Sequence, residues 1–336
     1  MNKTILLGHG SGGLMTSELI RDLFVRYFDN STLNVLSDSA LLQIRGNNLA
    51  FTTDSFVVDP LFFPGGDIGK LAVCGTVNDL CVSGARPLFL SAGFIIEEGF
   101  PLADLERITI SMADAARLAG VQIVTGDTKV VKRGQCDKIF INTAGIGLVE
   151  TNFISLSGGM LINPGDQILV NGYLGDHEMA ILSARENLTF DEPVLSDVAP
   201  LNHMVGELLR SGIDIHFMRD ITRGGIGTIL AEIAASGNGI EIDETLLPIR
   251  EQVNGLCEIY GFNPLYLANE GKVMMIVGKE SSGDAIERMK QFDTGVHACA
   301  IGSISSSNPG KVLMKSVIGS TRIIDKLAGE QLPRIC

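Results

Sequence analysis

The sequence predicts a two-domain α+β protein. Two observations carry that reading. Helical and β-type hydrophobic periodicities are mixed within each half of the chain, without the strict strand–helix alternation of a doubly wound sheet. The 336 residues, 45% of them hydrophobic, also suffice for two cores, and a cluster of glycine and turn residues, TNFISLSGGMLINPGD (151–166), separates them. The expected organisation is an N-terminal domain over 1–155, a C-terminal domain over 156–326 and a short tail over 327–336.

Taken in order, LMTSELIRDLFVRYF (14–28) carries apolar residues at helical spacing. NVLSDSALLQI and NNLAFTTDSFVV are β-type runs separated by Arg45, Gly46, Asn47 and Asn48, which reads as an antiparallel hairpin. A helix capped by Asp67 follows over 67–85, and Pro87 stops its continuation. The stretch 101–120 is an amphipathic helix with proline at its start and glycine at its end. VQIVTGD and KIFINTAGIGLVE are two more strands. The second half opens with a strand, QILVNGYLGD, and a helix from Asp176. Helices at about 201–211, 225–236 and 280–291 and the strands GIEID, GKVMMIVG, HACAIGSI and KVLMKSV complete it.

Composition narrows the function. The net charge is −13, from 26 basic and 39 acidic residues, so nucleic acid and anionic membrane surfaces are repelled and a phosphorylated substrate would need a divalent metal. Tryptophan is absent and aromatics are 6%, which removes the usual stacking platforms for single-stranded nucleic acid. The six cysteines (Cys74, Cys81, Cys136, Cys257, Cys299, Cys336) show neither CxxC nor Cys/His zinc spacing, so a reducing compartment is expected. The opening MNKTILLGHGSGG lacks an apolar stretch of signal-peptide length, and no apolar run would span a bilayer; the expected location is cytoplasmic.

Two glycine-rich segments can meet phosphate. GHGSGG (8–13) satisfies G-x-G-x-x-G, but a dinucleotide fold needs a parallel strand ending in an acid next, and Asp38 falls in an antiparallel hairpin instead. A mobile phosphate-contacting loop of His9, Gly10, Ser11, Gly12 and Gly13 is the better reading. PGGDIGKL (64–71) is not a P-loop, having Pro64 for the first glycine and Leu71 where Ser or Thr must bind metal. TRGGIG (222–227) opens a helix, so the backbone of Gly224 and Gly225 can face an anion beside Arg223; the competing reading is a turn needed for close packing.

The aspartates are informative by position. Asp38, Asp54, Asp79, Asp127 and Asp220 each sit in an apolar or glycine-rich setting, where an ionised carboxylate is costly unless paired or metal-bound. Any one of them can be a cap or an Asx-turn. Together, beside phosphate-binding loops in an acidic protein, they read as Mg2+ ligands, and the constellation points to ATP without a P-loop.

HGSGG, FTTDSFVVDPLFFPGGDIGKLAVCGTVNDLCVSGA, VTGDTKVV, RDITRGG, LANEGKV and the terminal PRIC together closely resemble the HypE family of hydrogenase maturation factors, from Gly8 to Cys336. The wider superfamily of aminoimidazole ribonucleotide synthetase, selenophosphate synthetase and thiamine-monophosphate kinase shares the glycine loop and the aspartates but not the tail. The resemblance implies a PurM-like fold, a homodimer joined through the N-terminal domains, and ATP near the dimer interface. It further implies a carbamoyl group delivered to the terminal cysteine by HypF, dehydrated with ATP to a thiocyanate, and passed to the HypC–HypD complex as an iron ligand of [NiFe]-hydrogenase. Another superfamily enzyme acting on a free small molecule, or a non-catalytic thiol carrier, are the alternatives.

Within that implied chemistry, Asp54, Asp79 and Asp127 are the leading Mg2+ ligands, with Asp38 and Asp220 as further candidates. Glu270 is the candidate base, because burial would raise its pKa toward the working range. Lys129, two residues after Asp127, is assigned to charge neutralisation or proton movement. Cys336 is the carrier thiol on a tail expected to be mobile and exposed, with a high effective concentration at the site.

Overall fold

The computed structural model describes residues 13–25, 27, 33–44, 47–156, 158–327, 329 and 331–336. The N-terminal half begins with helix α1 (Leu14–Leu19), which continues as a π-helical turn over Ile20–Val25 where the sequence predicts one regular helix to residue 28. It then forms β1 (Ala40–Ile44), β2 (Asn47–Phe56), the short pair β3 (Phe62–Phe63) and β4 (Gly66–Asp67), and helix α2 (Ile68–Val82). Strand β5 (Ala85–Glu97), helix α3 (Leu102–Ala119) and strands β6 (Gln122–Val131) and β7 (Ile139–Val149) complete the domain. Its sheet has the order β1-β2-β7-β5-β6, and only β5 and β6 run parallel.

Strict alternation gives this sheet two unlike faces. Ala50, Thr52 and Phe56 of β2 point inward to α2 and α3, whereas Phe51, Thr53 and Ser55 are exposed on the open face. On that open face Phe51, Ile146 and Phe89 stand in register across three strands, each about 40% exposed.

The C-terminal half contributes β8 (Gln167–Val170), helices α4 (Asp176–Arg185) and α5 (Asn202–Arg210), β9 (Ile215–Asp220), α6 (Gly225–Ala235), β10 (Gly239–Asp243) and α7 (Glu251–Tyr260). Then come β11 (Val273–Val277), α8 (Ser282–Met289), β12 (Cys299–Ser305), β13 (Val312–Lys315) and β14 (Thr321–Ile324). The sheet order is β14-β13-β10-β12-β8-β11-β9. All five residues of β11 are buried, which suits an interior strand covered on both faces. Strands β5, β9 and β14 and helix α7 were not among the sequence expectations. In β5 the register shifts between Pro87 and Phe89, so the proline read as a helix stop also sits at a strand irregularity.

Helix α2 positions the rest. Asp67 caps it, accepting from the Gly69 and Lys70 amides at 2.8 and 3.0 Å. The helix is apolar on every side because it serves two cores: Leu71, Val73 and Cys74 pack in the N-terminal domain, while Cys81 and Val82 pack with Leu201, Met204 and Met218. Asn78, 2% exposed, ties the halves together. Its amide nitrogen donates to the carbonyls of Ala199 and Glu270, both at 3.1 Å, and its oxygen accepts from the Leu201 amide at 2.8 Å.

Two stability predictions follow from this packing. Asn78→Ala orphans three buried backbone groups and should destabilise the protein by about 2–4 kcal/mol in urea denaturation. His216 is the second case: burial opposes its charged form, but its contacts to Asp166 (2.6 Å) and Asp214 (3.1 Å) outweigh this and raise its pKa. The stabilisation is complete below the unfolded value of about 6.5 and is lost as pH rises through the higher folded value. His216→Gln should therefore lose more stability at about pH 6 than at about pH 9.

Candidate functional site

The carboxylates gather where β2, α2 and β9 meet. Asp54 projects from the inward face of β2, Asp79 from the last turns of α2, and Asp220 from the end of β9, while Asp38 lies just before β1. Gly75 of α2 makes room: a Cβ there would stand 2.9 Å from Phe56 and 3.6 Å from Asp54 Oδ2. Burial, then the charge of the neighbouring aspartates, pushes Asp79 and Asp220 well above the usual carboxylate range. Asp54 is raised by burial, with Arg223 opposing.

Hydrogen bonding gives an independent view of Asp79. The Thr52 hydroxyl lies 2.9 Å from the Asp38 carbonyl and 2.6 Å from Asp79 Oδ2. Thr52 thus bridges the segment before β1 and the Asp79 carboxylate, and its donated bond opposes, without overturning, the rise that burial gives Asp79. Asp38 is held by Arg219 Nε at 3.0 Å, and Arg219 also reaches Glu232 at 2.8 Å.

Among the described residues no three such side chains converge as a ready-made metal cage. The donor set nevertheless suits a hard cation. Asp54, Asp79 and Asp220 offer oxygen ligands whose mutual repulsion a divalent ion would relieve, as Mg2+ sites require.

Glu270, 3% exposed, is carried by the loop before β11 and is raised well above its ordinary pKa by burial and then by Asp197, Asp220 and Asp54. Asp197 fixes that loop: it accepts from the Glu270 and Gly271 amides, each at 3.1 Å, and pairs with Lys272 at 3.0 Å in a buried ion pair. Arg223 is within electrostatic reach of Cys336, Asp54, Glu270 and Asp79. Gly224 and Gly225 both have positive φ, and a Cβ on Gly225 would collide with the Leu265 carbonyl at 2.4 Å. The Gly225 amide donates to Thr222 O at 3.0 Å, so it serves the turn and is not turned toward an anion.

The tail corrects an expectation. Instead of being free and exposed, residues 331–336 lie against the protein, with Ile335 8% exposed in the N-terminal core beside Leu332 and Cys336. The reason is main-chain pairing: Val57 N donates to Cys336 O at 3.0 Å and Asp59 N to Arg334 O at 3.2 Å. Burial pushes the partly buried Cys336 thiol up to about 12, with Arg223 opposing and Glu270, Asp54 and Glu178 adding to the rise.

Within one chain, Asp127 and Lys129 are not brought to the other carboxylates. Asp127 aligns with Gly93 of β5, which aligns with Asn142 of β7 and through it with Ser55 of β2, on the open face of the sheet. Three strand spacings, roughly 14 Å, and the sheet itself separate Asp127 from Asp54 within one chain. Its contact is Lys129, at 3.3 Å on the same exposed strand. His9, Gly10, Ser11 and Gly12 lie outside the described residues. Gly13 caps α1 and meets the root of the tail, where Leu14 N donates to Leu327 O at 2.9 Å.

Sequence reasoning missed Glu178 and the Asp197–Lys272 pair. Glu178 is 2% exposed; its Oε2 accepts from the Ala268 amide at 2.7 Å, its Oε1 has no partner, and burial raises its pKa to about 8. The available signal was GDHE (175–178), three titratable residues opening a helix that follows an apolar strand.

Residues 36–149 match the model of the N-terminal domain of AIR synthase related proteins, and residues 163–315 match that of the C-terminal domain. The chain is 47% identical to carbamoyl dehydratase HypE of Rhodobacter capsulatus, over 100% of this chain and 99% of that protein. It is also similar to two solved structures, each at 50% identity. A HypE–HypF complex matches with TM-score 0.86, over 92% of this chain and 99% of the other. Hydrogenase maturation protein HypE in complex with ATP matches with TM-score 0.82, over 99% and 100%.

The buried ion pair beneath Glu270 yields a test. Lys272→Met leaves Asp197 charged and unpaired in the interior and should cost about 3–5 kcal/mol in chemical denaturation.

Proposed function

The chain belongs to the HypE carbamoyl dehydratases of the AIR synthase related family, and on that premise we propose that it uses ATP to dehydrate a carbamoyl group carried on its own Cys336 thiol, giving a thiocyanate. The observation that carries this reading is the seat of Cys336. Its thiol feels the charges of Arg223, Glu270, Asp54 and Glu178 at once. The tail therefore holds its thiol beside the groups that would process a substrate carried on it.

The reaction converts R–S–C(=O)–NH2 and ATP into R–S–C≡N, ADP and phosphate. The C–O bond breaks, the oxygen departs as phosphate instead of as hydroxide, and nitrogen gives up both protons. Glu270 takes the first proton, since burial holds its pKa far above that of a surface carboxylate. Glu178 is suited to the second, having an unpartnered oxygen and a pKa of about 8. Arg223 faces the charge that develops on the transferred phosphoryl oxygens. Mg2+, when bound, would neutralise phosphate charge, with Asp54, Asp79, Asp220 and Asp38 as the residues to hold it.

Asp127 and Lys129 can join such a site only from a second copy. The exposed row of Phe51, Ile146 and Phe89 on the same open face supports a homodimer joined sheet to sheet. The HypE–HypF complex of a relative supports a HypF-type carbamoyltransferase as donor. A HypC–HypD complex is the proposed acceptor of the cyano group, for the iron of [NiFe]-hydrogenase. No described helix is long and apolar enough to cross a membrane.

Intact mass spectrometry with carbamoyl phosphate, the HypF-type donor, ATP and Mg2+ tests this. A carbamoyl adduct that loses one water only with hydrolysable ATP, and is absent in Cys336→Ala, is expected. An unchanged mass with continuing ATP consumption would mean that a free small molecule is the substrate.

A further inference from the structure

Seven described hydrogen bonds converge on the main chain or on Arg334 of the last four residues, and two of the side chains that make them, His177 and Arg185, have no part in the chemistry above. The Arg185 guanidinium donates to Pro333 O at 2.5 Å and to Arg334 O, while its Nε is bonded to Asp59 O. His177 Nε2 lies 2.6 Å from Ile335 O. Three successive carbonyls, 333 to 335, are therefore each met by a side chain of α4. From these contacts we infer that Arg185 and His177 form a receptor for the tail's main chain, which seats the tail and sets the depth at which Cys336 enters the site.

The histidine's protonation follows from its neighbours. Ile335 O can only accept, so Nε2 carries the hydrogen. Nδ1 then accepts from the Ser196 hydroxyl at 2.7 Å, and Ser196 Oγ in turn accepts from the Val198 amide at 3.2 Å. A neutral ring satisfies every member of this relay, and the complete burial of His177 keeps it neutral.

Arg334 shows that the seat holds the tail against its own preference. Its φ of 56° lies in the left-handed region, which a non-glycine residue keeps only where surroundings enforce it. Here they do: Arg334 Nε donates to Val57 O at 3.1 Å and its guanidinium pairs with Asp137.

None of these bonds involves the Cys336 sulfur, which packs instead against the N-terminal core. A seated thiol is a poor nucleophile because burial disfavours its thiolate. The role of the seat in dehydration rests on the function proposed above, whereas the seat itself does not.

The test is alkylation of Cys336 by iodoacetamide in the full-length protein, followed by peptide mass spectrometry, with Cys136 as an internal control. Arg185→Gln should speed alkylation of Cys336 at least tenfold while Cys136 is unchanged, and Arg185→Lys should fall between. Asp137→Asn, at an exposed position, should move the rate in the same direction and serves if the Arg185 variants fail to fold. In carbamoylated protein, Arg185→Gln should lower ATP-dependent water loss at least tenfold without slowing carbamoylation. Folded variants that alkylate at the wild-type rate would overturn the seat. Faster alkylation with unchanged water loss would overturn its role in positioning, and wild-type protein that never loses water would sink the proposed function while leaving the seat intact.

Discussion

Helix α2 is buried along nearly its whole length, with Lys70 and Asp79 only partly covered, so the polar groups of Thr76 and Asn78 must find partners inside the protein. Thr76 meets Thr143 at 2.5 Å, and Thr143 bonds Ala72 O at 2.9 Å, binding the helix to the sheet. Asn78 meets three backbone groups of the other half and thereby fixes the Glu270 loop. Asp79 has Thr52 as its partner and the other carboxylates as neighbours. The position of the site at the seam between the halves is thus the consequence of one helix shared by two cores.

That seam concentrates uncompensated acidity. Asp54, Asp79, Asp220, Glu270 and Glu178 all have raised pKa values, with burial as the leading cause in each case. Of the nearby cations, Arg219 is engaged with Asp38 and Glu232 and Lys272 with Asp197. Such an arrangement is a poor way to stabilise a fold and a good way to receive a cation together with a polyphosphate, because both would replace repulsion with coordination.

Much of this was legible in the sequence, for reasons specific to each segment. The Asp67 cap, the Pro101 start and the Gly120 stop are local signals, and the helices they predict begin and end within about three residues of the expected places. Asp54, Asp79 and Asp220 stood out because a carboxylate amid apolar residues needs a reason. What the sequence could not show is which face of a strand turns inward once pairing is set. Asp54 and Asp127 look alike as aspartates near the ends of apolar runs, yet the register sends the first to the helices and the second to the open face. The tail was misread because its contacts are to carbonyls, and a main-chain carbonyl is present at every position and marks none.

If the tail were free, Cys336 would meet the site only by diffusion of a short tether, and nothing would distinguish a loaded tail from an empty one by position. Seating it through carbonyls and through the Arg334 guanidinium gives the thiol one depth. The catalytic groups then need to fit one geometry only. Tail residue Leu327 touches the end of the glycine segment at Gly13 and Leu14. Displacement of the tail at Leu327 must break that contact, so the start of α1 and the root of the tail are tied together among the described residues.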